Sequence, residues 1–533
     1  MDTGLSSTHH NDPETFMTPI QDILIVGGGT AGWLTAAFLA RQLGTAQGGV
    51  RITLVESSDI GIIGVGEGTF PSIRGTLSAI GIGEAEFLDA CSATYKQGIR
   101  FDHWVRPPGT PGADHYFHPF SQPSQRPGAP ELLPYWLAGE AGPTRAFAEA
   151  VTLQKAVADA RHGPKRAADG DYLGPLNHAY HFDAGRFATL LATHGQALGV
   201  RRVIATVDRV DLDEQGAIAA VHTREAGTLT AGLYIDCSGF RARLIGEALG
   251  SPFRSMRDVL FVDRALAMQV PYARPEAPIA SYTIASAQES GWIWDIGLQE
   301  RRGIGHVYSS RHCDDADAEL VLRRYIGPAS DGLTPRRLTL DIGYRETHWV
   351  KNCVAVGLAG GFLEPLESSG IGLIETAAYL IGQLFPFNGD TAPVARHFNA
   401  FMKARYERIV DFIKLHYGLT QRTDTAFWRD NADPASFTDS LKEKLAMWRC
   451  RPPQRLDFIT DVEMYLPASW QYVLYGMEFK TEPGAWMAPL HRGEEARREF
   501  AAIAQLGAHA LRDLPPHRTL IEQILARADR RAA

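Results

Sequence analysis

The sequence contains few cysteines and lacks any apolar run long enough to cross a membrane. Its five cysteines are odd in number and widely separated, and no CxxC or His/Cys cluster has the spacing of metal ligands. We therefore expect reduced thiols and no metal site. No apolar run approaches the ~20 residues that span a bilayer, and residues 1–19 lack the basic start and apolar core of a signal peptide. These absences predict a disordered tail over residues 1–19 and a cytoplasmic protein without a membrane partner.

The sequence also lacks an excess of charge of either sign. Lysine and arginine number 53 against 61 acidic residues, which gives a formal net charge of −8. Because nucleic-acid-binding domains usually carry a basic surface, we expect no nucleic-acid partner. With 533 residues and no internal repeat, the chain is long enough for two to four structural units with an ample core.

A glycine-rich turn near the N-terminus is the strongest local signal. Ile23–Val26 is a short apolar run typical of a strand buried on both faces, and Gly27-x-Gly29-x-x-Gly32 follows it before an apolar helical pattern. Arg51–Glu56 then predicts a second strand that ends in an acid. This order predicts dinucleotide binding, with the phosphates at the helix N-terminus and the acid at a ribose hydroxyl. The predicted contacts are Gly27, Gly29, Thr30, Ala31, Gly32 and Glu56.

Irregular and helical stretches follow. Gly64–Thr69 is a glycine-rich ribbon, either a surface loop or, beside a nucleotide-binding turn, a segment that crosses the cofactor. Ile80–Lys96 predicts a helix and its exit, with Lys96 at the end. Arg106–Pro134 is a long irregular segment, and the ring-bearing side chains of Asp114–Phe120 indicate that part of it is ordered.

The remaining pattern predicts a mixed fold. Leu260–Ile304 alternates like an antiparallel sheet and carries Gly291-Trp-Ile-Trp-Asp-Ile296, whose two tryptophans point to one face. Asn352–Gly357 predicts another buried strand, a helix follows from Ile371 to Leu384, and the pattern is mostly helical from about Ala395. We therefore predict an α/β fold with an inserted antiparallel (α+β) sheet. Its units are a tail (1–19), a nucleotide-binding module (20–394) and a helical, substrate-side region (395–533).

A series of motifs, in the same order, resembles the flavin-dependent halogenases of the tryptophan-halogenase type. Together they extend over roughly residues 20–430 and are far more specific than the nucleotide fingerprint alone. The matching pieces are Gly27–Trp33, Gly64–Glu67, Lys96 upstream of Phe101, Gly291–Ile296, Phe362–Ile371, His416–Tyr417 and Thr423–Trp428.

The resemblance implies a Rossmann-type FAD-binding fold of the flavin monooxygenase kind for the module over 20–394. It also implies a reaction in which FADH2, supplied by a separate flavin reductase, and O2 oxidise a bound chloride or bromide to hypohalous acid. That acid passes through an internal tunnel to a lysine, beside which a small electron-rich aromatic substrate is halogenated. Relatives are often dimers, so a homodimer is a further expectation.

The resemblance also implies roles for individual residues. Lys96 matches the lysine that holds the halogen, Glu367 its acidic partner and Ser368 the residue beside it. The backbone amides of Ser369 and Gly370 match the halide site. Further flavin contacts are expected at Gly68, Val207, Leu358 and Ile371. Substrate contacts are expected at His118, Phe120 and Trp470.

These roles agree with elementary chemistry, although each has a plainer rival. Amides at a helix start are unpaired and suit a halide. Burial lowers the pKa of a lysine and a nearby carboxylate raises it, so we expect Lys96 and Glu367 to share one proton. The rivals are a solvated surface lysine and aromatic side chains that only pack the core. The tryptophan pair could likewise be core packing, or could close the region where a hydroxylase admits NADPH.

The sequence departs from the tryptophan-specific relatives in one region. Those relatives clamp the amino and carboxylate groups of the substrate with a tyrosine pair, a glutamate and Phe-Trp, whereas Val462–Trp470 lacks the tyrosine pair and the Phe-Trp. A buried zwitterion without partners would be strongly penalised, so we expect an indole, a phenol or a larger indole-bearing molecule rather than free tryptophan. The alternatives are an aromatic hydroxylase that uses NAD(P)H directly and a non-catalytic flavin-binding paralogue.

Overall fold

The computed structural model describes residues 18–46, 48–58, 67–112 and 114–532. Residues 1–17 of the predicted tail and the Gly64–Gly66 part of the predicted ribbon lie outside the described residues.

The chain opens with the predicted strand, glycine turn and helix: β1 (Asp22–Val26), α1 (Thr30–Leu43) and β2 (Arg51–Glu56). Gly27 has a φ of +117°, and a Cβ there would lie 2.2 Å from the carbonyl oxygen of Cys237. A Cβ at Gly32 would lie 1.8 Å from the carbonyl oxygen of Gly27. Both positions therefore require glycine, because a side chain would push the turn away from the neighbouring strand or helix.

Short elements follow, and they place Lys96 on a strand. They are β3 (Glu67–Gly68), α2 (Ile73–Ile80), α3 (Glu84–Ala90), β4 (Thr94–Lys96), β5 (Gly98–Asp102), β6 (His115–Pro119), α4 (Leu132–Leu137), α5 (Phe147–Val151) and α6 (Gln154–Asp159). The prediction of a helix that leads from Ile80 to Lys96 is wrong in this detail. Gly81 ends α2 in the left-handed conformation, with a φ of +89°, so a second short helix and then a strand follow.

The next elements include the strand that pairs with the Lys96 strand. They are β7 (Ala179–Phe182), α7 (Ala184–Ala197), β8 (Arg201–Ile204), β9 (Val207–Leu212), β10 (Ile218–Thr223), β11 (Gly227–Leu229) and β12 (Leu233–Asp236). Strand β7 lies between β3 and β4, where it pairs Gly68 with His181 and Lys96 with Ala179. This small sheet brings Gly68 close to Lys96. Strands β9–β11 form a separate antiparallel sheet.

The predicted antiparallel insertion is confirmed. Its elements are β13 (Phe253–Ser255), β14 (Arg264–Pro271), β15 (Thr283–Ala287), β16 (Gly291–Gly297), β17 (Arg301–Tyr308), α8 (Asp315–Ile326), β18 (Arg336–Thr339) and β19 (Gly343–Arg345). The large sheet has the order β18-β14-β17-β16-β15-β5-β6, and only β15 and β5 pair in parallel. Trp292 and Trp294 are both buried. A Cβ at Gly305 on β17 would lie 2.1 Å from the Trp294 ring, so that ring packs directly on the neighbouring strand.

The central sheet is built around β1. The next elements along the chain are β20 (Trp349–Val350), β21 (Cys353–Ala355), β22 (Gly361–Phe362) and α9 (Ser369–Gln383). The central sheet has the strand order β20-β21-β12-β1-β2-β8, and its strands are parallel except for β20. On one face of β1, Ile23 and Ile25 lie in one core cluster. On the other face, Leu24 and Val26 lie in a second cluster. Strand β1 is therefore buried on both faces, as predicted, and α1 packs against α7 and α9.

Helices make up the named elements from Thr391 onward in the described chain, with short 3-10 turns between them. They are α10 (Thr391–Gly418), α11 (Ala426–Ala432), α12 (Asp439–Cys450), α13 (Pro467–Gly476), α14 (Gly493–Asp513) and α15 (His517–Ala532). Within the described ranges, no helix combines the length and apolar character needed to cross a membrane. The helical region predicted from residue 395 thus begins four residues earlier, with α10.

The glycine turn generates a matched pair of predictions. We expect Gly27→Ala to destabilise the protein by at least about 3 kcal/mol, because it adds a left-handed strain and a clash with the Cys237 carbonyl. Gly29→Ala should leave the thermal unfolding midpoint nearly unchanged, since a Cβ at Gly29 meets no atom within 4 Å. It should instead weaken binding of the FAD that the resemblance implies at least about tenfold, because the methyl group would take the space expected for the pyrophosphate. Equal destabilisation by both substitutions would contradict this account.

Candidate active site

The N-terminus of α1 suits an anionic group. Its N-cap, Gly29, provides no side-chain hydrogen bond, and the first turn contains no acidic residue. The first amides of a helix are unpaired and carry partial positive charge. A Cβ at Gly29 would meet nothing within 4 Å, whereas Thr30, Ala31 and Gly32 form the first turn. The residues present therefore fit the pyrophosphate of a dinucleotide.

Glu56 reaches the same turn from the end of β2. Its Oε1 accepts a hydrogen bond from Arg202 Nε at 2.5 Å, and its Oε2 accepts one from Trp33 Nε1 at 3.3 Å. A Cβ at Gly28 would lie 1.4 Å from Oε2. The carboxylate thus lies against the glycine turn, where a ribose would be, with Arg202 and Trp33 fixing its direction.

The structure brings a second loop to this end of the sheet. Gly357 has a φ of +70°, and a Cβ there would lie 2.7 Å from the Cβ of Ala31. The 3-10 turn that contains Leu358 therefore touches the start of α1. Ile371 is buried in the first turn of α9. Val207 lies elsewhere, on the small sheet of β9–β11, and its carbonyl oxygen accepts a hydrogen bond from Arg243 at 3.2 Å.

Lys96 is completely buried at the end of β4. Its Nζ donates hydrogen bonds to Ser368 Oγ at 2.7 Å and to the Thr69 carbonyl oxygen at 3.2 Å, and it lies 5.3 Å from the centre of the Phe120 ring. Burial lowers the pKa of the amine to about 7, although the Glu367 carboxylate opposes this shift. A Cβ at Gly68 would lie 3.2 Å from Nζ and 3.0 Å from Ser368 Oγ. Gly68, expected as a flavin contact, therefore borders the buried amine of Lys96.

The start of α9 has the features expected of a halide site. Ser368 is the N-cap in the left-handed conformation, with a φ of 57°, yet its hydroxyl does not cap the helix. That hydroxyl bonds Lys96 instead. The first turn contains no acidic residue, and a Cβ at Gly370 would meet nothing within 4 Å. The amides of Ser369 and Gly370 are therefore suitably placed donors for a halide.

Glu367 has different partners from those the sequence suggested. His118 Nδ1 lies 3.0 Å and 3.1 Å from its two oxygens, and His416 Nε2 lies 3.1 Å from Oε1. Burial alone would raise the pKa of this carboxyl, but the two imidazoles more than offset it and lower the pKa to about 2. Glu367 is thus held ionised by histidines, whereas Lys96 bonds Ser368. This arrangement differs from the expected single proton shared by Lys96 and Glu367, because the carboxylate is in contact with the two imidazoles.

Two residues of this network had no predicted role. Tyr116 bonds His416 Nδ1 through its hydroxyl at 2.6 Å, and Tyr417 donates to Glu364 Oε2 at 3.1 Å. The pattern offered a partial signal for Tyr116, because it lies two residues before His118 on β6 and so faces the same side. For Tyr417, the sequence contains a neighbouring pair, His416–Tyr417, and two glutamates three positions apart, Glu364 and Glu367. Their pairing becomes visible only in the fold.

The expected substrate residues do not form one continuous contact. Phe120 lies beneath the amine, and its ring meets that of His118 edge-on at 6.4 Å. Trp470 is buried in a neighbouring cluster, 5.0 Å from the ring of Phe412 and 5.6 Å from that of Trp448. Phe120 is therefore next to Lys96 and His118 packs against Phe120, whereas Trp470 lies one ring further away, beyond Phe412. In the described part of the chain, no group of three or more His, Cys, Asp or Glu side chains could hold a metal ion.

Comparison with known proteins identifies the family. The tryptophan halogenase family model matches residues 22–490. The tryptophan 6-halogenase SttH of Streptomyces toxytricini is 36% identical over 518 residues, which cover 92% of this chain and 96% of SttH. The structure of a tryptophan halogenase from Shewanella frigidimarina is 41% identical, with a TM-score of 0.91 and coverage of 96% of this chain and 98% of that chain. BrvH, a flavin-dependent halogenase from Brevundimonas sp. BAL3, is 35% identical with a TM-score of 0.83, covering 95% of this chain and 99% of BrvH.

These similarities confirm the predicted fold and the predicted class of enzyme. The protein is a flavin-dependent halogenase that uses FADH2 and a halide, and it depends on a separate flavin reductase. This result favours the halogenase prediction over a direct NAD(P)H hydroxylase and over a non-catalytic paralogue. With a family model that extends over most of its length and relatives above 30% identity, the chain belongs to the tryptophan halogenase family.

Proposed function

We propose that this enzyme releases oxidised halogen to an electron-rich, indole-like ring only beside the buried amine of Lys96. The observation that carries the proposal is the 2.7 Å contact between Lys96 Nζ and Ser368 Oγ. Ser368 immediately precedes the two amides that suit a halide. One short loop therefore serves both the halide end of the site and the amine.

The chain's residues have separate tasks in this proposal. When bound, reduced FAD supplies with O2 the oxidising power that converts halide to hypohalous acid. The amides of Ser369 and Gly370 hold the halide, and the buried loop keeps bulk water away from the oxidant. The flavin reductase is the partner that this chemistry requires, while a homodimer and a cytoplasmic location stay predictions.

Lys96 has the properties needed to direct the transfer. With a pKa of about 7, its amine is present near neutral pH both as ammonium and as free amine. The ammonium can bond the oxygen of hypohalous acid and give it a proton as the halogen–oxygen bond breaks, so that water leaves. The ring gains the halogen and becomes transiently cationic until it gives up its ring proton to the free amine of Lys96, which restores the ammonium. Glu367, ionised and fixed by two imidazoles, stabilises that positive charge.

The substrate side favours a ring without an amino-acid clamp. In Val462–Trp470, the acid Glu463 is buried and its Oε1 lies 3.1 Å from Arg408 Nε on α10. The neighbouring Val462 carbonyl oxygen accepts a hydrogen bond from Arg405 at 3.0 Å. Both groups thus already interact with arginine side chains of α10 and are not available to hold the amino group of a substrate. We therefore propose indoles and phenols as substrates, with free tryptophan a poorer one.

Replacement of Lys96 by methionine tests the role of the buried amine. With flavin reductase, NADH, FAD, O2 and bromide, we expect mass spectrometry to show monobrominated product from indole and phenol. Lys96→Met should reduce product formation at least about 100-fold, because it removes the proton donor and the group that holds the halogen. Oxidation of reduced flavin should continue at nearly the normal rate.

The control for this experiment is Lys442→Met, which removes an exposed lysine on α12. It should leave both bromination and flavin oxidation unchanged. Bromination by Lys96→Met at the normal rate would refute the proposed role of the amine. If the unsubstituted enzyme oxidised reduced flavin but brominated none of these rings, the proposed substrate class would be refuted.

The buried amine of Lys96 should also affect the stability of the folded protein. The pKa of Lys96 is about 7 in the folded chain and about 10.4 in an unfolded one, so the unfolded chain binds more protons between these values. The folded state is therefore penalised at neutral pH, and the penalty fades as the pH rises toward 10. We expect Lys96→Met to raise the free energy of unfolding by on the order of 3 kcal/mol at pH 7. Denaturant titrations at pH 7 and pH 10 would check this.

The gain should shrink at pH 10, and Lys442→Met should show no gain at either pH. A Lys96→Met protein that was less stable than the parent at pH 7 would contradict the burial argument.

A further inference from the structure

We infer that His118 accepts a hydrogen bond from an N–H or O–H group on the substrate ring and so selects rings that carry such a donor. This inference rests on the proposed function. It goes beyond the ring-stacking role that the family resemblance gives to His118.

The hydrogen on the His118 ring is fixed by Glu367. Nδ1 lies 3.0 Å and 3.1 Å from the two carboxylate oxygens. An ionised carboxylate can only accept, so Nδ1 must be the donor. In the neutral imidazole, Nε2 then carries a lone pair and acts as an acceptor. Glu367 thereby sets which nitrogen is offered to a ligand.

The accepting nitrogen lacks a partner. His118 Nε2 is buried and bonds no other group in the described chain. The rings around His118 are those of Phe120, Phe412 and Tyr472, at 6.4, 5.9 and 6.2 Å. The Tyr472 hydroxyl donates to the Ser121 carbonyl oxygen instead. A buried acceptor without a donor is costly, so a ligand that supplies one is favoured.

The position of His118 ties this acceptor to the reaction. Other buried imidazoles also leave a nitrogen unpaired, but His118 packs on the same phenylalanine as the reactive amine. Phe120 is 5.3 Å from Lys96 Nζ on one side and meets His118 edge-on. A flat ring beside Lys96 and Phe120 is therefore within reach of the imidazole. Its ring N–H or O–H completes the hydrogen bonding of His118, whereas a ring without a donor leaves Nε2 unpaired.

The test compares indole with N-methylindole, two rings of similar intrinsic reactivity. The full chain, flavin reductase, NADH, FAD, O2 and bromide are used, and products are quantified by mass spectrometry. Hypobromous acid without enzyme gives the intrinsic ratio of the two rates. After division by that ratio, we expect the enzyme to prefer indole by about 10- to 100-fold in kcat/KM.

Variants separate hydrogen bonding from shape. His118→Phe removes the acceptor but is no smaller, so exclusion of the methyl group by shape alone would persist in it. We expect its preference for indole to fall below about threefold. His118→Gln restores an acceptor and should keep an intermediate preference. Phe120→Leu should slow both substrates similarly and leave their ratio unchanged, because it weakens ring packing only.

Each outcome decides between the alternatives. Equal use of both rings by the parent enzyme would overturn the inference, and so would a full preference for indole in His118→Phe. If the parent halogenated neither ring, the proposed function itself would fail. Thermal unfolding and flavin oxidation of each variant show whether it is folded. If His118→Phe did not fold, the parent ratio and His118→Gln would still decide.

Discussion

The hydrogen bond between the Lys96 amine and the Ser368 hydroxyl is the interaction on which the site depends. Ser368 occupies the N-cap of α9, where a serine hydroxyl normally satisfies the first amides of the helix. Here the hydroxyl bonds the amine, and the N-cap residue has a left-handed backbone. Such strained residues concentrate at functional sites. The helix start is consequently free for an anion, at the place where the amine is held.

Two carboxylates on one loop show how local partners set opposite charge states. Glu364 and Glu367 are equally buried. Burial raises the pKa of Glu364 to about 8, and its tyrosine and lysine neighbours only partly oppose this. The two imidazoles lower the pKa of Glu367 to about 2. Neighbouring residues of α10, His416 and Tyr417, contact the two acids, so one helix anchors a loop that holds a neutral acid near an anionic one.

The sequence allowed the fold and the parts of the site to be predicted, but not how those parts meet. The glycine turn, β1 and the tryptophan strand follow from local periodicity, which short segments carry. Lys96 and Ser368 were predicted as individual residues from family motifs. The pairing of Glu367 with His118 joins positions 249 residues apart, and no local pattern encodes it. For the same reason the sequence predicts that Lys96 pairs with Glu367, whereas in the fold Lys96 bonds Ser368 and the two imidazoles contact Glu367. The strand position of Lys96 was missed because Gly81 splits an apolar stretch that resembles one helix.

The central claim is that a buried amine of lowered pKa receives the oxidised halogen. The most direct measurement is an NMR titration of the protein carrying 13C-labelled lysine side chains. Two buried lysines, Lys96 and Lys414, are expected to titrate at a pKa of about 7, and Lys96→Met should remove one of these signals. If the signal lost in Lys96→Met titrated instead near 10.4, as a solvated lysine does, the amine would not be buried as described and the account would be wrong.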